Sequence, residues 1–175
     1  MDSAVLSLKK AIEIDLNSGD SSQLSKLYSR MAYHTRKKGN FSEALKLLYD
    51  ALMIAKNKND QYRIMRCYTD LGLIYKVYLD DYERSLEYGL KALEIAEELG
   101  NEVAIADFCN NIGNTYLFLD RIEEAEEVFL RAIDLYKKNN KESEMVNTII
   151  NYGSIFGTRG DLQSAIDEFK IAYQI

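Results

Sequence analysis

The chain repeats itself at a fixed period. An alanine followed by an apolar residue recurs along the 175 residues with spacings of 40, 41, 40 and 40, at Ala11, Ala51, Ala92, Ala132 and Ala172. A glycine precedes this alanine at the same period, at Gly72, Gly113 and Gly153, with Ala32 in its place in the first copy. Such a period predicts a small structural unit stacked on copies of itself rather than one globular core.

Each unit has the pattern of two helices. The chain contains no proline, and apolar residues recur at helical spacing throughout. We therefore expect an all-α fold, a solenoid of antiparallel helix pairs with about nine helices, in a single domain over residues 1–175. The predicted segments are a half repeat at 3–16 and four full repeats at 22–56, 60–99, 102–138 and 141–175.

Glycine, asparagine and aspartate mark the predicted turns. Gly19-Asp20-Ser21 should end the first helix and cap the second, while Asn40, Asn101 and Asp161 should act as N-caps of later helices. The single spacing of 41 predicts one extra residue, which we place in the turn at Asp80-Asp81.

Small residues at fixed positions predict close helix packing. Gly113 on a first helix and Ala125 on a second helix would let the two backbones approach, and Ala132 would do so where the next pair begins. Tyr116 and Phe129 would fill the space beside them.

These positions together resemble the tetratricopeptide repeat (TPR) family. Its signature combines Leu-Gly and Tyr in the first helix with Ala, an aromatic residue and Ala in the second. The copies read Tyr68…Leu71-Gly72…Tyr75, then Ile112-Gly113…Tyr116…Ala125…Phe129…Ala132, then Tyr152-Gly153…Phe156…Ala165…Phe169…Ala172. The resemblance implies a right-handed superhelix whose first helices line a concave binding groove.

The repeat is longer than the usual TPR unit. Its period of 40 exceeds the family's roughly 34 residues, and the proline that commonly closes the second helix is missing. In this the chain is similar to bacterial TPR regulators and kinesin light chains.

Polar residues that flank the repeat core are the candidates for the groove surface. The predicted set is Lys26, Arg30, Tyr33, Arg36, Lys37, Arg66, Asp70, Asn110, Asn111, Asn114, Asn147 and Asn151. The basic part could hold an acidic side chain or a C-terminal carboxylate, and the asparagine amides could pair with the backbone of an extended peptide. The alternative is that these residues are only a solvated polar face.

Charge is unevenly distributed. The net charge is -6, yet residues 1–78 carry a net +5 and residues 79–175 a net -11. This distribution does not favour nucleic acid as a partner. No run of apolar residues predicts membrane insertion, and the two cysteines, expected in the core, favour a reducing compartment, so we expect a cytoplasmic protein.

The sequence contains no recognisable catalytic or metal-binding motif. His34 is the single histidine, no metal-ligand or nucleophile–base spacing occurs, and no phosphate-binding glycine loop is present. We therefore expect no catalytic residues, no cofactor and no metal, and His34 should be a surface or groove-lining residue.

The predicted function is a protein-interaction scaffold that binds an extended peptide or protein segment. The resemblance suggests the sensor or regulatory part of a bacterial signalling protein, and we expect the sequence to be a segment of a longer chain. The alternative is a structural or oligomerisation module that uses exposed terminal helices, where Phe169, Ala172, Tyr173 and Ile175 form an apolar strip.

Overall fold

The computed structural model describes residues 3–18 and 23–174. Within these ranges the chain forms nine α-helices and no strand. The helices are α1 Ser3–Ser18, α2 Leu24–Lys37, α3 Phe41–Asn57, α4 Gln61–Tyr78, α5 Tyr82–Glu98, α6 Glu102–Phe118, α7 Ile122–Lys138, α8 Glu142–Thr158 and α9 Leu162–Gln174. The predicted all-α solenoid class is confirmed. The predicted cap at Gly19-Asp20-Ser21, and Ile175, lie outside the described residues.

Every turn between α2 and α9 has the same construction. Each is three residues long, and its middle residue has a positive φ. These middle residues are Gly39, Asn59, Asp80, Gly100, Asp120, Asn140 and Gly160. Glycine, asparagine and aspartate tolerate this left-handed conformation best, which explains why the middle positions of the turns hold only these three residue types.

The extra residue of the second repeat lies at the end of α4, not in the turn as predicted. The turn before α5 has three residues like the others, but α4 has 18 residues where α6 and α8 have 17. In the other repeats the turn closes when a backbone N–H reaches back five residues, as from Arg121 to Tyr116 at 2.9 Å. Here the Asp81 N–H reaches back six residues to Tyr75, also at 2.9 Å. The insertion is therefore absorbed between Tyr75 and Asp81.

Two of the predicted N-caps are confirmed. The side chain of Asn101 accepts a hydrogen bond from the Ala104 N–H at 3.1 Å, and Asp161 accepts one from the Ser164 N–H at 3.1 Å. Asn40 makes no side-chain cap bond. Its turn is closed by backbone bonds instead, since the Phe41 N–H donates to the Gly39 carbonyl at 3.1 Å.

The chain divides into two compact units, residues 1–81 and 82–175. In the first unit, α1 packs on α2, α2 on α3 and α3 on α4, and α2 also contacts α4. Because short turns make successive helices antiparallel, α2 and α4 lie side by side in one layer. Both predicted core cysteines are buried, Cys67 here and Cys109 in the second unit.

The second unit repeats this arrangement. Helix α5 packs on α6, α6 on α7, α7 on α8 and α8 on α9, and α6 also contacts α8. Acidic residues of its second helices partly pair across helices, as Glu97 does with Arg131 at 2.6 Å and Glu126 with Arg159 at 3.0 Å. That residues 1–175 form one continuous array stays a prediction.

Candidate functional site

An open cleft of about 580 Å³ lies between α2 and α4 in the first unit. Its lining residues are Ser25, Lys26, Ser29, Arg30, Tyr33, His34, Tyr62, Arg63, Arg66 and Asp70. Five of the twelve residues predicted for the groove therefore line one cleft: Lys26, Arg30, Tyr33, Arg66 and Asp70. Their spacing at three, four and seven residues along each helix brings the residues of α2 to one wall of the cleft and those of α4 to the other.

Most cations of the cleft lack an anionic partner. Lys26, Arg30 and Arg66 are exposed, and none of them forms an ion pair with another described residue. Arg63 differs, because its Nε lies 3.1 Å from an Asp60 carboxylate oxygen. The cleft thus offers three positive side chains that have no ion-pair partner, and the Asp70 carboxylate in the lining offsets part of their charge.

Asp70 is the single acidic residue in the lining. Its partial burial raises the pKa of this carboxyl, and the positive charges of Arg66 and Arg36 only partly oppose that effect. The effect of burial on the pKa therefore outweighs that of the two arginines, so the Asp70 carboxyl binds a proton more readily than an exposed aspartate does.

Two further predicted residues, Arg36 and Lys37, are not part of the cleft lining. They pack on Tyr33, with the Arg36 guanidinium 5.4 Å and the Lys37 ammonium 4.9 Å from its ring centre. Arg36 also donates a hydrogen bond to the Tyr78 hydroxyl at 3.3 Å, and Tyr78 stacks on Phe41. These contacts fix one edge of the cleft through Tyr33.

The floor of the cleft is held by contacts to neighbouring helices. The Ser25 hydroxyl donates to the Ala51 carbonyl on α3 at 2.9 Å, and the Ser29 hydroxyl lies 3.7 Å from the Cys67 sulfur on α4. Burial raises the pKa of the Cys67 thiol, which keeps it protonated. These contacts hold the helices of the cleft together, and the exposed positive charge of the cleft is that of Lys26, Arg30 and Arg66.

Of the other lining residues, Ser29 shares the predicted groove face of Lys26 and Arg30, and His34 is expected at the surface or in the groove. Sequence reasoning misses the remaining three, Ser25, Tyr62 and Arg63. Tyr62 lies four residues before Arg66, and Ser25 lies four before Ser29, so both fall on the predicted helix faces one turn earlier. Extending each face by one helical turn would have found them. Arg63 lies three residues before Arg66 and seven before Asp70, so the same extension would also have found it. Its Nε lies 3.1 Å from an Asp60 carboxylate oxygen.

The predicted asparagines lie in the second unit, on α6 and α8. Asn151 donates from its amide nitrogen to the Asn110 side-chain oxygen at 3.0 Å, which links the two helices. Asn114 donates to the Asn110 backbone carbonyl at 3.0 Å. Part of the hydrogen-bonding capacity of these three side chains is therefore used within the protein.

Asn111 and Asn147 retain free amides. Both are exposed, and their side chains form no hydrogen bond to any other described residue. Four residues before Asn111 on α6, Asp107 accepts a hydrogen bond from the buried Tyr136 hydroxyl at 2.7 Å. Burial, reinforced by this carboxylate, raises the pKa of Tyr136, so the hydroxyl stays a donor and keeps Asp107 oriented.

Across the described part of the chain, no group of three or more His, Cys, Asp or Glu side chains has the arrangement of a metal site. None of its helices is both long and apolar enough to cross a membrane.

Comparison with known families identifies the fold. Tetratricopeptide repeat models match residues 23–98 and 106–139, which together make up more than half of the chain. The chain belongs to the tetratricopeptide repeat family. Repeats of this kind typically form non-catalytic scaffolds for protein interaction.

Solved structures of the same fold include BtubC (BKLC) from P. vanneervenii, with 24% sequence identity and a TM-score of 0.78 over 86% of this chain and 62% of that one. A Rap protein in complex with competence and sporulation factor has 20% identity and a TM-score of 0.75 over 97% of this chain and 47% of its own. A kinesin light chain-like protein from Podosopora anserina, with nearly identical TPR-like repeats, has 13% identity and a TM-score of 0.80, over 97% of this chain and 84% of its own.

At these sequence identities, the three structures show a similarity of fold alone. The chain spans less than two thirds of the length of BtubC and about half that of the Rap protein. No curated protein matches the sequence.

Proposed function

We propose that this chain is a protein-interaction module that binds an extended peptide or protein segment. In this proposal the α2–α4 cleft holds an acidic group of the segment, and the exposed asparagine amides of α6 and α8 pair with its backbone. The module would serve as the sensor or regulatory part of a bacterial signalling protein and would act in the cytoplasm.

The observation that carries the proposal is the set of unpaired cations in the cleft. Lys26, Arg30 and Arg66 line it without an ion-pair partner among the described residues. Three like charges in one cleft repel one another, and an anionic ligand relieves that repulsion. The exposed amides of Asn111 and Asn147 add donors and acceptors suited to a peptide backbone.

The proposal has support from a related fold. The Rap protein that is solved in complex with competence and sporulation factor is similar in fold to 97% of this chain, over 47% of its own length. That a protein of similar fold forms such a complex supports the proposal that this chain binds a partner.

The test is selection of peptides from a random display library against the purified chain, followed by affinity measurement on variants. We expect Arg30→Ala with Arg66→Ala to weaken selected acidic peptides by roughly tenfold or more, because each removes a charge-assisted contact. Asn111→Ala with Asn147→Ala should weaken the same peptides independently of their sequence.

Lys46→Ala is the matched control, since Lys46 is an exposed cation on α3 that does not line the cleft. Selected peptides that bind all variants equally, with unchanged thermal unfolding, would show that neither surface is the binding site. Failure to select any peptide would count against the function itself.

A second candidate function is oligomerisation through the exposed apolar surface of the last helix, α9. Tyr173 is 93% exposed and Phe169 is 42% exposed, and together with Val146, Ile150 and Ala172 they line an apolar cavity of about 530 Å³. Of the predicted apolar strip, Ala172 is buried and Ile175 lies outside the described residues. A homo-oligomer formed through this surface would be disrupted by Tyr173→Glu, and mass measured across a concentration series tests it.

A further inference from the structure

We propose that the acidic group bound in the α2–α4 cleft is a phosphoryl group carried on a side chain of the partner segment. This inference rests on the proposed function and specifies its ligand class. It is drawn from the charge balance of the cleft, from the residue types that supply the charge, and from the charge of the rest of the chain.

The charge balance of the cleft fits a dianion. Lys26, Arg30, Arg63 and Arg66 contribute four positive charges, while Asp60 pairs with Arg63 and Asp70 lies in the lining. Two positive charges remain. A phosphoryl group carries about -1.5 to -2 at neutral pH, whereas a carboxylate carries one negative charge and would leave one cation unneutralised.

The residue types also favour phosphate. Arg30 on α2 and Arg66 on α4 face the same cleft from two walls, and each guanidinium presents a planar fork of N–H donors that matches phosphate oxygens. Lys26 adds a point charge beside them. A phosphoryl group has three terminal oxygens to accept from several donors at once, while a carboxylate has two.

The rest of the chain argues against other phosphate sources. The whole chain carries a net charge of -6, and residues 79–175 carry one of -11, which disfavours a long polyanion such as a nucleic acid strand or an anionic bilayer. A single phosphoryl group on a protein segment is confined to the cleft and avoids that repulsion. The exposed rings of Tyr33 and Tyr62, which border the cleft, can contact the neighbouring residues of such a segment.

The experiment uses three blocked pentapeptides, Gly-Ala-X-Ala-Gly with X as phosphoserine, glutamate or serine, and the full 175-residue chain. Binding is followed by the backbone amide shifts of α2 and α4 in NMR titrations. We expect the phosphoserine peptide to bind roughly tenfold more tightly than the glutamate peptide, and the serine peptide to cause no shifts.

Variants assign the effect to the cleft. Arg30→Gln and Arg66→Gln should each weaken the phosphoserine peptide by roughly tenfold, and Lys46→Gln should leave it unchanged. Asp70→Asn should strengthen binding, because it removes the opposing charge. A gain of affinity cannot result from unfolding, so this variant keeps the test valid if an arginine variant proves unstable.

The proposal is overturned if the glutamate and phosphoserine peptides bind equally, or if the arginine variants do not alter phosphoserine binding. It is also overturned if vesicles containing phosphatidylserine bind through Arg30 and Arg66 while the phosphoserine peptide does not. The proposed function would still stand after any of these results if display-selected peptides without phosphate bind the chain and lose affinity in the Asn111 variant. A chain that binds neither kind of peptide would refute both.

Discussion

At the residue scale, position 113 requires glycine because the ring of a neighbouring residue occupies the space that any larger side chain would need. A Cβ at this position would lie 2.7 Å from the Phe129 ring, which is fully buried. The same pair occurs one repeat later, where a Cβ on Gly153 would lie 2.8 Å from the ring of Phe169. Phe169 is 42% exposed, so its ring has room to move that Phe129 lacks.

This difference predicts that the same substitution has unequal effects. Gly113→Ala should lower the free energy of unfolding by about 1–3 kcal/mol, because a buried ring cannot leave its position without strain. Gly153→Ala should cost less, because Phe169 can rotate toward solvent. Urea denaturation of the two variants measures both, and adding Phe129→Leu to Gly113→Ala should recover part of the loss. Equal costs at the two positions would contradict the explanation.

The sequence could identify these residues as structural, but it could not show which contacts make each of them necessary. The recurrence of Gly113 and Phe129 at the period of the repeat marked both as structural, and this is confirmed. The expectation that Gly113 allows two backbones to approach was incomplete, because its contact is with a ring. Likewise, helical spacing placed Arg36 with Arg30 on one face, but only the positions of Tyr33 and Tyr78 reveal that Arg36 packs on aromatic rings. Such contacts depend on side-chain packing between helices, which a one-dimensional pattern does not contain.

At the scale of the element, the three-residue turns set where each helix ends. The middle residue of each turn between α2 and α9 is left-handed, a conformation that costs most L-residues about 1–2 kcal/mol. Gly160 (φ 77°) is such a residue at the end of α8, and nothing lies within 4 Å of a Cβ built on it. Its requirement for glycine is therefore purely a matter of backbone conformation.

We expect opposite effects from two neighbouring substitutions. Gly160→Ala should destabilise the protein by about 1–2 kcal/mol through backbone strain. Gly157→Ala, three residues earlier inside α8, should stabilise it by up to about 1 kcal/mol, because its Cβ also meets open space and alanine favours the helix. Thermal unfolding by circular dichroism compares them directly. A stabilising Gly160→Ala would mean that the turn relaxes to another conformation.

The sequence predicted the turns well because their residue types are restricted. It could not place the extra residue of the second repeat, since Leu79, Asp80 and Asp81 are all compatible with a turn. The hydrogen bond from Asp81 to Tyr75 decides the matter, and only coordinates provide it.

At the scale of the whole molecule, the excess of negative charge limits which anions can bind. A cleft with a local positive charge belongs to a chain with a net charge of -6. The attraction between the cleft cations and an anion acts only over a short range, because charges separated by more than about 8 Å are largely screened at physiological salt. A small anion is attracted by the cations of the cleft, while a long polyanion is disfavoured by the net negative charge of the chain.

This predicts discrimination by ligand length. We expect no measurable binding of a 20-nucleotide single-stranded DNA at 0.15 M salt by fluorescence anisotropy, since neutralising phosphates needs a basic surface along the whole strand. Micromolar binding of this probe that is lost in Arg30→Gln with Arg66→Gln would contradict the prediction.

The uniform turns also bear on how the chain could be modified by evolution or by design. With three residues between successive helices from α2 to α9, no loop is long enough to hold a recognition sequence, so new specificity has to arise by substitutions on helix faces. The segment from Tyr75 to Asp81 is the exception, because it already accommodates a residue that the equivalent segments lack. A designer who wishes to graft an epitope or a fluorophore site into the array would begin there.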